Sequence, residues 1–318
     1  MTERVGFFTD TSICIGCKAC EVACKEWNGV PDDGFTLLGS SYDNTGALGA
    51  STWRHVAFIE QPRRLGTQEA GFAGTPAGPA ASDVLNRAGD AALSGDRSVL
   101  GTDTSQVDLQ TPNTPLPDGG DGRTDFRWLM SSDVCKHCTH AACLDVCPTG
   151  SLFRTEFGTV VVQDDICNGC GYCVPACPFG VIDRRIGEKN TKNVGLAQKC
   201  TLCYDRVQVG KTPACAQACP TESIQFGELS ELRERAEQRL EKLTAAGHTD
   251  ARLYGADPDD GVDGFGAFFL LLDEPEVYGL PPDPVAPTHN VGQVWAGVFA
   301  GAVALSTGIA AAVFGGGR

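Results

Sequence analysis

The stretch CNGCGYCVPACPFG, residues 167–180, sets four cysteines among three glycines and two prolines. Such crowding serves a metal centre better than a core, and the question is whether the stretch completes one by itself. The chain carries sixteen cysteines in 318 residues, and they fall into four groups and nowhere else. Cys14, Cys17, Cys20 and Cys24 share the CxxCxxCxxxC spacing of Cys167, Cys170, Cys173 and Cys177. Cys135, Cys138, Cys143 and Cys147 widen one gap, and Cys200, Cys203, Cys215 and Cys219 widen it further. All four close on CxxxC, and the last three end in a proline (Pro148, Pro178 and Pro220), so the repeat of ligands implies a repeat of metal centres.

The spacing has a physical reason. Three cysteines in CxxCxxC can curl their thiolates around one iron–sulfur cubane, while the fourth is carried away to ligate the other cluster of a pair. Each quartet is then three plus one. Gly169 and Gly171 suit the tight wrapping, because glycine takes positive φ and lets backbone N–H groups approach the sulfurs. Structural zinc uses two CxxC pairs per ion and leaves the three-plus-one pattern unexplained. Disulfides need an oxidising route, and a thioredoxin-like CxxC pair leaves fourteen cysteines idle. Four [4Fe-4S] clusters are expected.

The second and third quartets are close in sequence. Between them SLFRTEFGTVVVQ has the pattern of a hairpin, with Phe157-Gly158 at the turn and Val160–Val162 as a strand. They should form one ferredoxin-like module, inserted in another that the first and fourth quartets close. The expected fold is α+β: two ferredoxin-like modules of two clusters each, one inserted in the other, plus a C-terminal transmembrane helix. On this pattern Cys14, Cys17, Cys20 and Cys219 share cluster A, and Cys24, Cys200, Cys203 and Cys215 share cluster B. Cys135, Cys138, Cys143 and Cys177 share cluster C, and Cys147, Cys167, Cys170 and Cys173 share cluster D.

The stretches VCKHCTHAACLDVCPTGSL, ICNGCGYCVPACPFGVI and KCTLCYDRVQVGKTPACAQACPTESIQFGEL resemble the four-cluster electron-transfer subunits of molybdenum and tungsten oxidoreductases. They are most similar to the iron–sulfur (beta) subunit of membrane-bound formate dehydrogenase, over residues 1–60 and from 126 onward. The resemblance implies a relay between a catalytic subunit carrying molybdopterin and an integral membrane subunit, quinone-linked or a cytochrome b, with no catalytic residue of its own. It also implies a place in the cell envelope, anchored to the cytoplasmic membrane. Equivalent subunits serve reductases of dimethyl sulfoxide, polysulfide, thiosulfate or tetrathionate. Relatives in nitrate reductase replace one ligand cysteine by tryptophan, a replacement absent here.

The domains expected are residues 1–60 with 190–227, an inserted module at 126–189, a cysteine-free insertion rich in Gly, Ala and Pro at 61–125, a helix and extended strap at 228–290, and a transmembrane helix at 291–314. One short helix is expected near Asp83 to Leu93. Residues 228–243 put Leu229, Leu232, Ala236, Leu240 and Leu243 on one helical face, with Gly247 as the stop. VGQVWAGVFAGAVALSTGIAAAVF, residues 291–314, has no charge and is long enough to cross a bilayer core. Gly297 and Gly301 form GxxxG, suited to close packing on another helix.

The net charge of −15 argues against a nucleic-acid partner, since phosphates would be repelled. The N-terminus has no basic segment before an apolar run, and Arg63-Arg64 has no apolar run behind it, so no export signal is expected. Lys18, Lys136, His137, His140 and Lys199 lie within the cysteine loops and are candidates for tuning cluster potentials or, equally, for solvated surface. A nucleotide-binding glycine loop and a nucleophile–base pair are both lacking. Two function classes stand: an electron relay, and a non-redox zinc scaffold.

Overall fold

A computed structural model describes residues 4–33, 42–43, 45–64, 124–187 and 191–314. The helix expected near Asp83 to Leu93 lies outside them. Met1–Ile59 with Leu129–Arg318 form one compact unit, and Glu60–Trp128 a second.

The main sheet joins distant parts of the chain. β1 (Val5–Asp10) pairs parallel with β10 (Ala267–Leu271) and antiparallel with β8 (Ile224–Glu228), and β9 (Arg252–Tyr254) completes the order β8-β1-β10-β9. β10 is the apolar run AFFLL with every residue buried, as expected of a strand covered on both faces. Phe8 stacks on Phe268 at 5.3 Å between ring centroids. Helix α6 (Leu229–Ala245) lays Leu229, Leu232, Ala236 and Leu243 into the core, as their spacing predicts, and Gly247, at φ +95°, follows its end. Its Arg239 reaches Asp10 on β1 at 2.9 Å, where the aspartate is buried, so helix and sheet are tied by an ion pair as well as by apolar contact.

β4 (Leu152–Arg154) and β5 (Val160–Val162) form the expected antiparallel hairpin, with Gly158 in its turn at φ +77°. Two short ribbons accompany it: β2 (Arg54–Arg64) with β3 (Thr124–Val134), and β6 (Asp183–Arg184) with β7 (Ala197–Gln198). A large core surrounds Phe7, Phe268 and Leu232, and a smaller one gathers Ala141, Leu152, Val160, Cys173, Ile182 and Ala197.

The C-terminal helix α7 (Val291–Phe314) forms over the bounds expected. Val294, Trp295, Val298, Phe299, Val303 and Leu305 are exposed on it rather than packed on the core. Among the described residues no helix is long and apolar enough to cross a membrane, which corrects the expected transmembrane span. Along α7 Gly297, Gly301, Ser306 and Thr307 interrupt the apolar surface, and both hydroxyls donate back to the Val303 carbonyl.

Candidate metal centres

Each quartet folds by the same local plan. The residue just before the second cysteine is left-handed in all four: Gly16 at φ +64°, His137 at +46°, Gly169 at +71° and Leu202 at +59°. That conformation tightens the loop and turns backbone N–H groups inward. Gly169 has no alternative, because a Cβ there would meet the Gly195 carbonyl oxygen at 2.5 Å. The third cysteine sits in a helix in every case: Cys20 in α1 (Ala19–Asn28), Cys143 in α2 (Ala142–Asp145), Cys173 in α3 (Cys173–Ala176) and Cys215 in α5 (Ala214–Gln217). The fourth follows four residues later, within α1 for Cys24 and just past the end of the short helix for Cys147, Cys177 and Cys219. The remaining short helix, α4 (Tyr204–Val207), follows Cys203 directly.

All sixteen thiols are free, and their neighbours reveal a second pattern. Cys14 lies among Cys20, Cys219 and Cys17. Cys24 lies among Cys200, Cys215 and Cys203. Cys138 lies among Cys135, Cys177 and Cys143, and Cys173 among Cys167, Cys170 and Cys147. Each of these neighbourhoods thus brings together thiols of two quartets. Further thiols lie within electrostatic reach of one another: Cys20 and Cys215, Cys200 and Cys135, and Cys143 and Cys173.

Burial pushes Cys143 up to about 12 and Cys173 up to about 11, and the neighbouring thiols add to the effect. Thiols so placed are poor acids alone and need a metal to hold them as thiolates. Cys147 moves the other way: Ser151 and Thr149 hydroxyls and backbone N–H groups outweigh burial and bring it down to about 7.

The surroundings fit cubanes. A cavity is lined by Cys135, Cys138, Cys143 and Cys177, with apolar Val160, Phe179 and Ile182 and the cationic or imidazole side chains of Lys136, His137, His140 and Lys199. Two nitrogens are buried without a hydrogen-bond partner, His137 Nε2, on a residue that lines this cavity, and Arg54 Nη2. His137 Nδ1 accepts the Val160 N–H at 3.1 Å, so the proton of the neutral ring is on Nε2, and burial together with Lys199 and Arg4 keeps the ring neutral. Among the described residues no group of three or more His, Cys, Asp or Glu is placed to hold a single metal ion. A cubane sets its sulfur ligands farther apart than one tetrahedral ion does.

The loop residues singled out from sequence divide by role. Lys136 is buried, paired with Asp133 and donating to the Val134 carbonyl at 3.0 Å, and its ammonium lies 4.9 Å from the Phe269 ring centre. Lys199 is buried and donates to the Val160 and Cys200 carbonyls. Lys18 is bound to Glu21 and Asp43 outside the thiols, and His140 meets Asp145 and Thr288. Sequence reading missed Arg54, on a ribbon strand far from any cysteine motif, Ser132, three residues before Cys135, and Asn28, whose amide lies 3.7 Å from Cys24 Sγ. It also missed Thr149 and Thr221, 3.7 and 3.8 Å from Cys147 and Cys219 Sγ. The repeated CPT triplet was the available signal for those two.

Comparison with known proteins agrees with this chemistry. Residues 126–229 match the 4Fe-4S dicluster domain family. The nitrate-inducible formate dehydrogenase iron-sulfur subunit of Escherichia coli K12 is 33% identical over 93% of this chain and 78% of its own length. The formate dehydrogenase iron-sulfur subunit of Haemophilus influenzae is 35% identical over 86% of this chain and 68% of its own. A subunit of the anaerobic dimethyl sulfoxide reductase of Escherichia coli K12 is 30% identical over 74% of this chain and 78% of its own. With thiols gathered in foursomes and relatives of this kind over most of its length, the chain belongs to the family of formate dehydrogenase iron-sulfur subunits.

Proposed function

We propose that the chain is the relay of a membrane-bound formate dehydrogenase, carrying electrons through four [4Fe-4S] clusters between a molybdopterin-containing catalytic subunit and an integral membrane subunit linked to quinone or carrying cytochrome b. The observation that carries the reading is the exchange of thiols between quartets into four foursomes. Cys14, Cys17, Cys20 and Cys219 would hold cluster A; Cys24, Cys200, Cys203 and Cys215, cluster B. Cys135, Cys138, Cys143 and Cys177 would hold cluster C; Cys147, Cys167, Cys170 and Cys173, cluster D. When bound, each cubane supplies a one-electron centre whose potential depends on charge, hydrogen bonds to sulfur and exposure.

The protein residues order these centres. Cys20 beside Cys215, Cys200 beside Cys135 and Cys143 beside Cys173 support the row A–B–C–D. The separate small core around Leu152 and Ile182 supports an inner ferredoxin-like module for C and D. Cys17 and Cys170 are exposed at opposite ends of the row, with exposed Ile15 and Val22 near one and Ile166 and Tyr172 near the other in sequence, surfaces suited to redox partners. The exposed apolar side chains of α7 would attach the chain to its membrane partner, with the complex at the cytoplasmic membrane.

The complex purified anaerobically from native membranes should hold about sixteen irons on this chain and reduce a dye with formate. Iron far below that number would defeat the relay. A second reading rests on the likeness to the dimethyl sulfoxide reductase subunit: a complex with molybdopterin and all its iron, yet inert to formate, would establish it.

A further inference from the structure

Arg54, at the start of β2, is 2% exposed and lies in the core of the protein. Its Nη1 donates to Ser132 Oγ at 3.0 Å and to the Ser132 carbonyl at 3.2 Å, and its guanidinium lies 5.0 Å from the Phe7 ring centre. Nη2 is buried without a partner, and no carboxylate pairs with the side chain among the described residues. A buried cation in that state is costly unless an anion stands beside it. The groups around it are Cys215, Cys20, Cys200 and Cys24. These thiols come from three segments and from both foursomes of the outer pair. Ser132 extends the contact, with Oγ 3.2 Å from Cys20 Sγ.

The geometry points to Arg54 as a positioning residue shared by clusters A and B, its single charge raising the reduction potentials of both. The inference rests on the ligand sets proposed above. Reduction adds one negative charge to a cluster that its thiolates already make anionic, and a nearby cation in a low-dielectric interior stabilises the reduced form over the oxidised one. Because the guanidinium borders thiols of both foursomes, the two potentials move together. Clusters C and D, whose ligand sets include none of these four thiols, stay where they are.

The test is an anaerobic redox titration of the whole purified complex, followed by electron paramagnetic resonance, with iron content measured on each sample. Arg54→Met removes the charge at similar length, and Arg54→Lys keeps it. In Arg54→Met the ratio of reduced to oxidised A and B at fixed ambient potential should fall about tenfold, about 59 mV for one electron, with C and D unchanged. Arg54→Lys should remain within about threefold of the native ratio. Unmoved A and B in a fully loaded Arg54→Met complex overturns the proposal, as does a shift of one cluster alone or of all four. If Arg54→Met fails to load A and B, loading in Arg54→Lys supports the role of the charge, and loss in both variants overturns it. Native complex lacking iron at A and B would instead sink the ligand assignment, a failure separate from this one.

Discussion

The Cys177 thiol lies within electrostatic reach of Cys138, Cys135 and Cys143, three cysteines of a different motif. Cys173 has Cys167, Cys170 and Cys147 as its neighbours, and in the proposed ligand sets Cys170 and Cys177 serve different clusters. Cys170→Ser and Cys177→Ser should therefore extinguish different electron paramagnetic resonance signals, each with a loss of up to about four irons. Loss of the same signal in both variants would break the exchange of ligands.

The buried Lys136 depends on Asp133. Asp133→Ala strands the ammonium and should cost about 3 kcal/mol, seen as a lower denaturant midpoint of the loaded protein. Lys136→Met removes the charge with its desolvation cost and should be markedly milder. Equal midpoints for the two variants would contradict this account.

Gly169 and Gly150 have nearly the same backbone, φ +71° and +68°, but a Cβ at Gly150 would meet nothing within 4 Å. Both alanine substitutions carry a left-handed strain of about 1 kcal/mol. Only Gly169→Ala adds a collision with the backbone at Gly195, so it should lower iron content and thermal stability while Gly150→Ala keeps the iron. Comparable iron retention would show that the loop yields.

Asp43 ties the first cysteine loop to the body. Burial pushes its carboxyl up, but the His55 ring, 2.7 Å away, with the Thr45 and Gly46 N–H groups outweighs burial and holds it well below the carboxylate range. A carboxyl depressed in the folded state stabilises above its unfolded value, near 3.9, and loses that contribution as pH falls through the folded value. The melting difference between native protein and Asp43→Asn should still be present at pH 5 and narrow only below about pH 4. A difference that already collapses by pH 6 would assign it to another group.

The cysteine positions were legible because ligand spacing is a local property of the chain. The hairpin at Leu152–Val162 and the helix at Leu229–Ala245 were legible for the same reason, each being set by its own periodicity and turn residues. Arg54 was invisible, since its meaning comes from Ser132 and from thiols that only the folded chain brings near. The main sheet was equally hidden: VGFFTD and AFFLL carry no mark that pairs them, and their parallel contact is a consequence of everything between. The apolar run at the C-terminus announced a helix correctly but not its surroundings, because uncharged Gly and Ala sequences satisfy helix formation without specifying what covers it.

The pairing of β1 with β8 and β10 also sets a timetable. At a ribosomal pace of about 5–20 residues per second, the strand at Val5–Asp10 waits on the order of ten seconds or more for its partners to be made. Cys135 to Cys177, by contrast, are complete as one short stretch and can gather early. During synthesis the inner thiols are ready for metal while Cys14 to Cys24 are still waiting for Cys200 to Cys219. Of the sixteen thiols those made first, Cys14 to Cys24, are among the last to be enclosed, and over that interval they need protection from oxygen and from stray metal.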